Sequence, residues 1–168
     1  MYERHFIIVV ACLTGLFLLP FVAAGDPPAT ATMQFGKDVG SPFPAPSGHD
    51  QSSHAKDSLV PRQVVISQGG TVTFNIVGSV AHQIAIYQPG TKASDIDVTT
   101  LAPPGIGCPP ISLINDPVGR VAILDDQPCA GGATTLSFTF NEPGRYLIIC
   151  TFLPHFRDFD MYGWVTVK

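Results

Sequence analysis

The chain has 168 residues, only 13% of them charged, and a formal net charge of −4 at pH 7. A sequence this acidic lacks the cationic surface with which proteins hold nucleic acid, which excludes that class of partner. Glycine and proline number 16 each and no internal repeat is visible, so the composition describes one domain of many short strands joined by turns.

Residues 6–24 are apolar throughout except for Thr14, follow a short head containing Arg4, and close on Val22-Ala23-Ala24. A charged head, an apolar run and a small-residue end are the parts of a secretory signal peptide, here residues 1–24. The run also approaches the ~20 residues a spanning helix needs, so an uncleaved membrane anchor is the competing reading. Pro20 and the alanine pair favour cleavage after Ala24. Glu3 and Arg4 leave together, so the exported chain keeps its net charge of −4. Its destination is the periplasm or the extracellular medium.

Residues 25–60 are rich in proline, serine and glycine and predict an irregular segment. His49 and His54, with Asp50 and Asp57, suggest a second metal site, but with no cysteine and no regular histidine spacing they read as solvated linker residues. The domain proper is expected over residues 61–168. Val64 to Ser67 and Thr71 to Val77 flank Gln68-Gly69-Gly70 and predict a hairpin. Period-2 alternation places His82, Ile84 and Ile86 on one face of the next strand. Gln88 to Thr91 turns the chain, and Lys92 to Thr100 predicts a short helical turn or an irregular loop. Leu101 to Gly132 reads as an insertion with a strand at Arg120 to Leu124. Leu136, Phe138 and Phe140 then share a face, Asn141 to Gly144 turns, and Arg145 to Cys150 and Gly163 to Val167 are the last two strands.

Between those last strands lies the most informative run, Cys150-Thr-Phe-Leu-Pro-His155-Phe-Arg-Asp-Phe-Asp-Met161. It gathers a thiolate, an imidazole and a thioether, soft or borderline donors that select copper over hard cations. A fourth donor is best sought in His82, because a histidine sharing a face with two isoleucines points into a core and needs a partner.

Together these segments resemble the cupredoxins, small type 1 blue-copper proteins of the plastocyanin and azurin kind. The resemblance rests on Val64 to Asn75, His82, Gly144 to Cys150 and Met161 to Val167 in that order, and covers roughly residues 60–168. It implies an all-β, cupredoxin-like Greek-key sandwich, with Thr32 to Phe35 as a short first strand and one copper held by His82, Cys150, His155 and Met161. Five residues separate His155 from Met161, a longer loop than in most members, and Gln83 follows the first histidine where many have asparagine. The axial position therefore stays open between Met161 and another weak donor such as the Ala81 carbonyl.

Of four cysteines, Cys12 leaves with the signal, and an odd set remains. Pairing Cys108 with Cys129 braces the insertion, frees Cys150 for metal and suits an oxidising compartment. The bridge would close a loop of about twenty residues and stabilise the fold by roughly 3 kcal/mol. Pairing Cys150 with either of the others is the alternative, and it would destroy the copper site.

The function these features imply is one-electron transfer between transient redox partners by a monomer that is not an enzyme. His155 is expected nearest to solvent, with Leu153, Pro154 and Phe156 as an apolar docking patch and Arg157, Asp158 and Asp160 at its rim. A copper carrier or storage protein would use the same donors but usually displays Met-rich or His-rich tracts, and three methionines do not make one. A copper oxidoreductase would need a second, substrate-accessible site with paired histidines, for which only His49 and His54 remain.

Overall fold

The structure, a computed structural model, describes residues 25–37, 58–77, 82–103, 112–124 and 134–168. The signal segment, His49, His54, Ala81, Cys108 and Cys129 lie outside the described residues.

Two sheets face each other. The first is nucleated by β4 (Gly70–Ile76), where Val72, Phe74 and Ile76 are buried and the residues between them are half-buried. That alternation is the period-2 signature of a strand with one face in the core. On one side it pairs in parallel with β1 (Thr30–Lys37), and on the other antiparallel with β7 (Thr134–Phe140). A short β2 (Ser58–Val60) borders β1. Strands β1 and β2 both arise from the stretch expected to be largely irregular, and β1 extends the anticipated Thr32 to Phe35 in both directions.

The second sheet runs β3 (Gln63–Ile66), β9 (Tyr162–Val167), β8 (Gly144–Cys150), β5 (Ile84–Tyr87) and β6 (Arg120–Leu124). Its inner face presents Ile84, Ile86, Tyr146, Ile148, Cys150 and Val165 to Met33, Phe35, Val72, Phe74 and Phe140 of the first sheet. Each fully buried side chain of this size contributes roughly 1.5–3 kcal/mol. The outer face of β5 and β8, with Ala85, Tyr87, Leu147 and Ile149, supports a second cluster with Ile96, Ile114 and Phe156. The described parts of the connection between β5 and β6, with Ile96 and Ile114, therefore roof part of the sheet. A 3-10 turn at Ala93–Asp95 answers the expected helical turn. The Asp116 carboxylate accepts from the Asp97 and Val118 amides, both at 2.9 Å, and the Asp116 carbonyl accepts from the Tyr87 hydroxyl at 3.1 Å.

The hairpin expected around Gln68-Gly69-Gly70 does not form. Strand β3 pairs with β9, whereas β4 lies in the other sheet. The glycine turn is a corner between sheets, pinned by amides of three successive residues: Ser67 donates to Pro28, Gln68 to Lys168 and Gly69 to Phe140, at 3.0, 2.9 and 2.8 Å. Turn-forming residues reverse a chain whichever neighbours its strands acquire, so the local signal does not distinguish a hairpin from a corner.

Candidate metal centre

The centre lies where β5 begins and β8 ends. Strand β5 starts at Ile84, so His82 sits just ahead of the strand rather than within it, yet it keeps the inward parity that alternation predicts. Cys150 is the last residue of β8 and is fully buried. Beyond it the chain turns into α1 (Leu153–Phe159), a helix that the sequence reading treats as loop. Pro154 suits its first turn, where a missing N–H costs nothing. The Leu153 amide donates to Ser112 at 3.0 Å, seating the helix start against the roof.

One helical turn carries His155 back over the end of β8. Asp160 ends the helix in the left-handed conformation, φ 52°, which aspartate tolerates better than most residues. The Met161 amide then donates to His155 O at 2.9 Å, while Met161 O accepts from the Cys150 amide at 3.0 Å. These bonds fold the long interval between His155 and Met161 into a compact unit. Met161 is fully buried in the same inter-sheet core as Cys150.

Three donor atoms converge. Cys150 Sγ lies 3.6 Å from His82 Nδ1 and 3.5 Å from His155 Nδ1, and the two nitrogens are 3.2 Å apart. His82, Cys150 and His155 are the metal-competent cluster among the described residues. Burial lowers His82 to about 3, aided by the charge of His155, and burial alone lowers His155 to about 4. Both rings are therefore neutral at pH 7, with lone pairs available for a metal. The triangle also fits in size, because bonds of about 2.0 Å to nitrogen and about 2.3 Å to sulfur, set at open angles, span edges of this length. An S and two N donors in such a triangle are the equatorial set of a blue-copper site.

The matching family profile is that of copper binding proteins of the plastocyanin/azurin family, over residues 50–168. The chain belongs to that family. Copper is accordingly its metal. No curated relative matches it by sequence. Among solved structures, it is similar to a dithionite-reduced auracyanin from Roseiflexus castenholzii, with 20% identity and a TM-score of 0.52 over 84% of this chain and 98% of that one. A plastocyanin from Dryopteris crassirhizoma aligns at 23% identity and a TM-score of 0.41, covering 82% of this chain and 100% of its own. Auracyanin A from Chloroflexus aurantiacus aligns at 17% and 0.43, covering 84% and 99%.

Several supports of this cupredoxin's centre escape sequence reasoning. The Thr151 hydroxyl donates to Gln83 Oε1 at 2.7 Å and the Thr151 amide to Gln83 O at 2.9 Å, tying the residue after the cysteine to the residue after the histidine. Phe152 stacks on the His155 ring, centroids 5.3 Å apart and 20° from parallel. Gly36, at φ +76°, sits at a bulge in β1 against the other side of His82. A Cβ on it would meet Val77 O and would lie 2.7 Å from His82 Nε2. That Nε2 is buried and has no hydrogen-bond partner among the described residues, so packing holds its ring edge. A lone glycine inside a strand pattern is the one available signal for such a close approach.

The expected docking patch needs correction at one residue. Leu153 and Pro154 are half-buried at the surface, but Phe156 is buried against Tyr162 and the outer core, because the helix turns it inward. Of the four residues named as donors, His155 is the most exposed, at 7%.

Proposed function

We propose that this cupredoxin is an exported one-electron carrier in which His82, Cys150 and His155 hold a single copper and Met161 supplies the weak axial donor. The observation that carries the reading is the convergence of one thiolate sulfur and two neutral imidazole nitrogens inside a buried end of the sandwich. Copper bound there supplies reversible Cu(I)/Cu(II) chemistry. The chain keeps its donors in place: the Gln83–Thr151 pair joins the two strand ends, Gly36 backs His82, Phe152 backs His155, and the Met161 backbone is clamped between His155 and Cys150. Fixed, water-excluded donors require little rearrangement when the charge changes, which suits electron exchange more than substrate turnover.

The signal-like residues 1–24 support export, and an odd cysteine set in which Cys150 is kept for metal supports a Cys108–Cys129 bridge. Leu153 and Pro154, beside the least buried of the donors, supply a small apolar surface for brief docking of redox partners.

Absorption and electron paramagnetic resonance spectra after Cu(II) addition to purified protein from residue 25 onward test this reading. An intense visible thiolate-to-copper band with narrow hyperfine splitting is expected. Cys150→Ser should abolish it, and Met161→Gln should shift its position and the reduction potential without abolishing it. A colourless copper adduct, or a band that survives Cys150→Ser, would overturn the assignment.

A further inference from the structure

Among the described residues, the outer face of the second sheet is roofed only in part. Register places Gln63 and Val65 of β3, Tyr162, Trp164 and Thr166 of β9, and Arg145 of β8 side by side on that face. Val65 is 41% exposed, Tyr162 and Trp164 are half-buried, and Arg145 is exposed. No carboxylate stands among these strand positions, although the chain as a whole is acidic. The Arg145 guanidinium lies 4.3 Å from the centroid of the Trp164 ring, and Arg62 lies 5.8 Å from that of Tyr162. Arg145 makes no ion pair among the described residues. Its charge is therefore held over an aromatic plane and presented outward.

The same rings lead back to the metal centre. Trp164 meets Tyr162 edge-on at 5.4 Å and 89°, and Tyr162 follows Met161, whose carbonyl accepts the Cys150 amide at 3.0 Å. One ring contact, one peptide link and one hydrogen bond thus connect the exposed face to the thiolate residue.

We propose that this face is a second docking surface, distinct from the His155 end, for an acidic redox protein. Its carboxylates would pair with Arg145 while an apolar patch covers Trp164 and Val65, and the Trp164–Tyr162 contact would couple it to the centre. The inference rests on the electron-carrier reading for the partner's redox nature and for the coupling, while the docking face itself stands on the residues above. One electron passes from the reduced centre to the partner; no bond forms or breaks and no proton moves. Charge complementarity argues for the acidic occupant, since an arginine with no ion pair among the described residues, on a chain of net charge −4, is a local exception that steers anionic partners to one place.

Trp164 is the chain's single tryptophan, so its fluorescence reports this face alone. Hexacyanoferrate(II), an anionic stand-in for the acidic partner, is expected to quench it more efficiently than neutral acrylamide at low salt. Arg145→Gln should reduce the anion's advantage about fivefold or more, as should added salt. In the copper-loaded reduced protein, oxidation by hexacyanoferrate(III) should slow by a similar factor in Arg145→Gln and in Trp164→Leu, with Trp164→Phe restoring the ring and most of the rate. The visible band should be unchanged in all three. Quenching insensitive to Arg145, a rate loss confined to Arg157→Gln beside His155, or concentration-dependent self-association lost in Trp164→Leu would each overturn the proposal. Absence of the blue band would sink the electron-carrier reading instead, while the fluorescence experiment would still judge the docking surface.

Discussion

The two ends of this sandwich are built on opposite principles. At the end where β4 and β8 begin, backbone groups satisfy one another: Ser67, Gln68 and Gly69 donate in turn to three different segments, and the Gln68 side chain caps Asn141 O at 2.9 Å. At the other end, where β8 stops and β5 starts, side-chain donors face one another and His82 Nε2 has no partner among the described residues. The first arrangement completes itself on folding. The second leaves neutral, buried donors pointing at a common centre, a state that gains by binding a metal. One fold thus spends its polar groups on stability at one end and reserves them for chemistry at the other.

The sharpest way to break this contrast is Gly36→Ala. The new methyl would collide with Val77 O and the His82 ring at a left-handed backbone position. A loss of about 3 kcal/mol or more in denaturant unfolding of the metal-free protein is expected, with copper affinity lower by at least tenfold, on the order seen when the groups that orient metal ligands are changed. An effect on stability without one on affinity would show that His82 is positioned by something other than this contact.

Acid should expose the reserved donors next. In the folded metal-free protein His82 and His155 are lowered from 6.5 to about 3 and about 4. The unfolded chain takes up their protons first, so the stability they contribute is complete above pH 6.5 and falls as pH drops towards 4. Two such groups give a slope approaching roughly 2.7 kcal/mol per pH unit. Urea titrations across that window check it, and saturating copper should flatten the slope.

Smaller changes separate the two ends. Thr151→Val removes the hydroxyl that donates to buried Gln83 Oε1 and should cost about 1–3 kcal/mol, with a shift in the visible band because the residue adjoins Cys150. Tyr146→Phe, at the self-completed end, removes a 3.0 Å bond to Glu142 O and should cost about 1 kcal/mol while leaving the spectrum unmoved. If Tyr146→Phe shifted the band, the two ends would not be independent.

Much of the centre was legible because copper chemistry restricts residue type: few patterns other than a donor set place Cys150, His155 and Met161 in one run after a strand, with an inward histidine upstream. The strands at Thr71 to Val77 and Arg145 to Cys150 were legible from apolar alternation and runs. What escaped depends on tertiary context. The Gln68–Gly70 corner and a hairpin share the same local chemistry. Helix α1 is too short, at 7 residues, for a periodic pattern to stand out. Gly36 and Gln83 act through neighbours distant in sequence, and Phe156 faces inward only because the loop became a helix.

The spacing of the donors also sets an order of assembly. Cys150 and His155 are 5 residues apart, whereas His82 is 68 residues from Cys150. An unfolded chain therefore already carries a local two-donor chelate, and only closure of β5 on β8 adds the third arm. Metal captured early would stay weakly held and exchangeable, and tight binding would mark the moment the second sheet is complete.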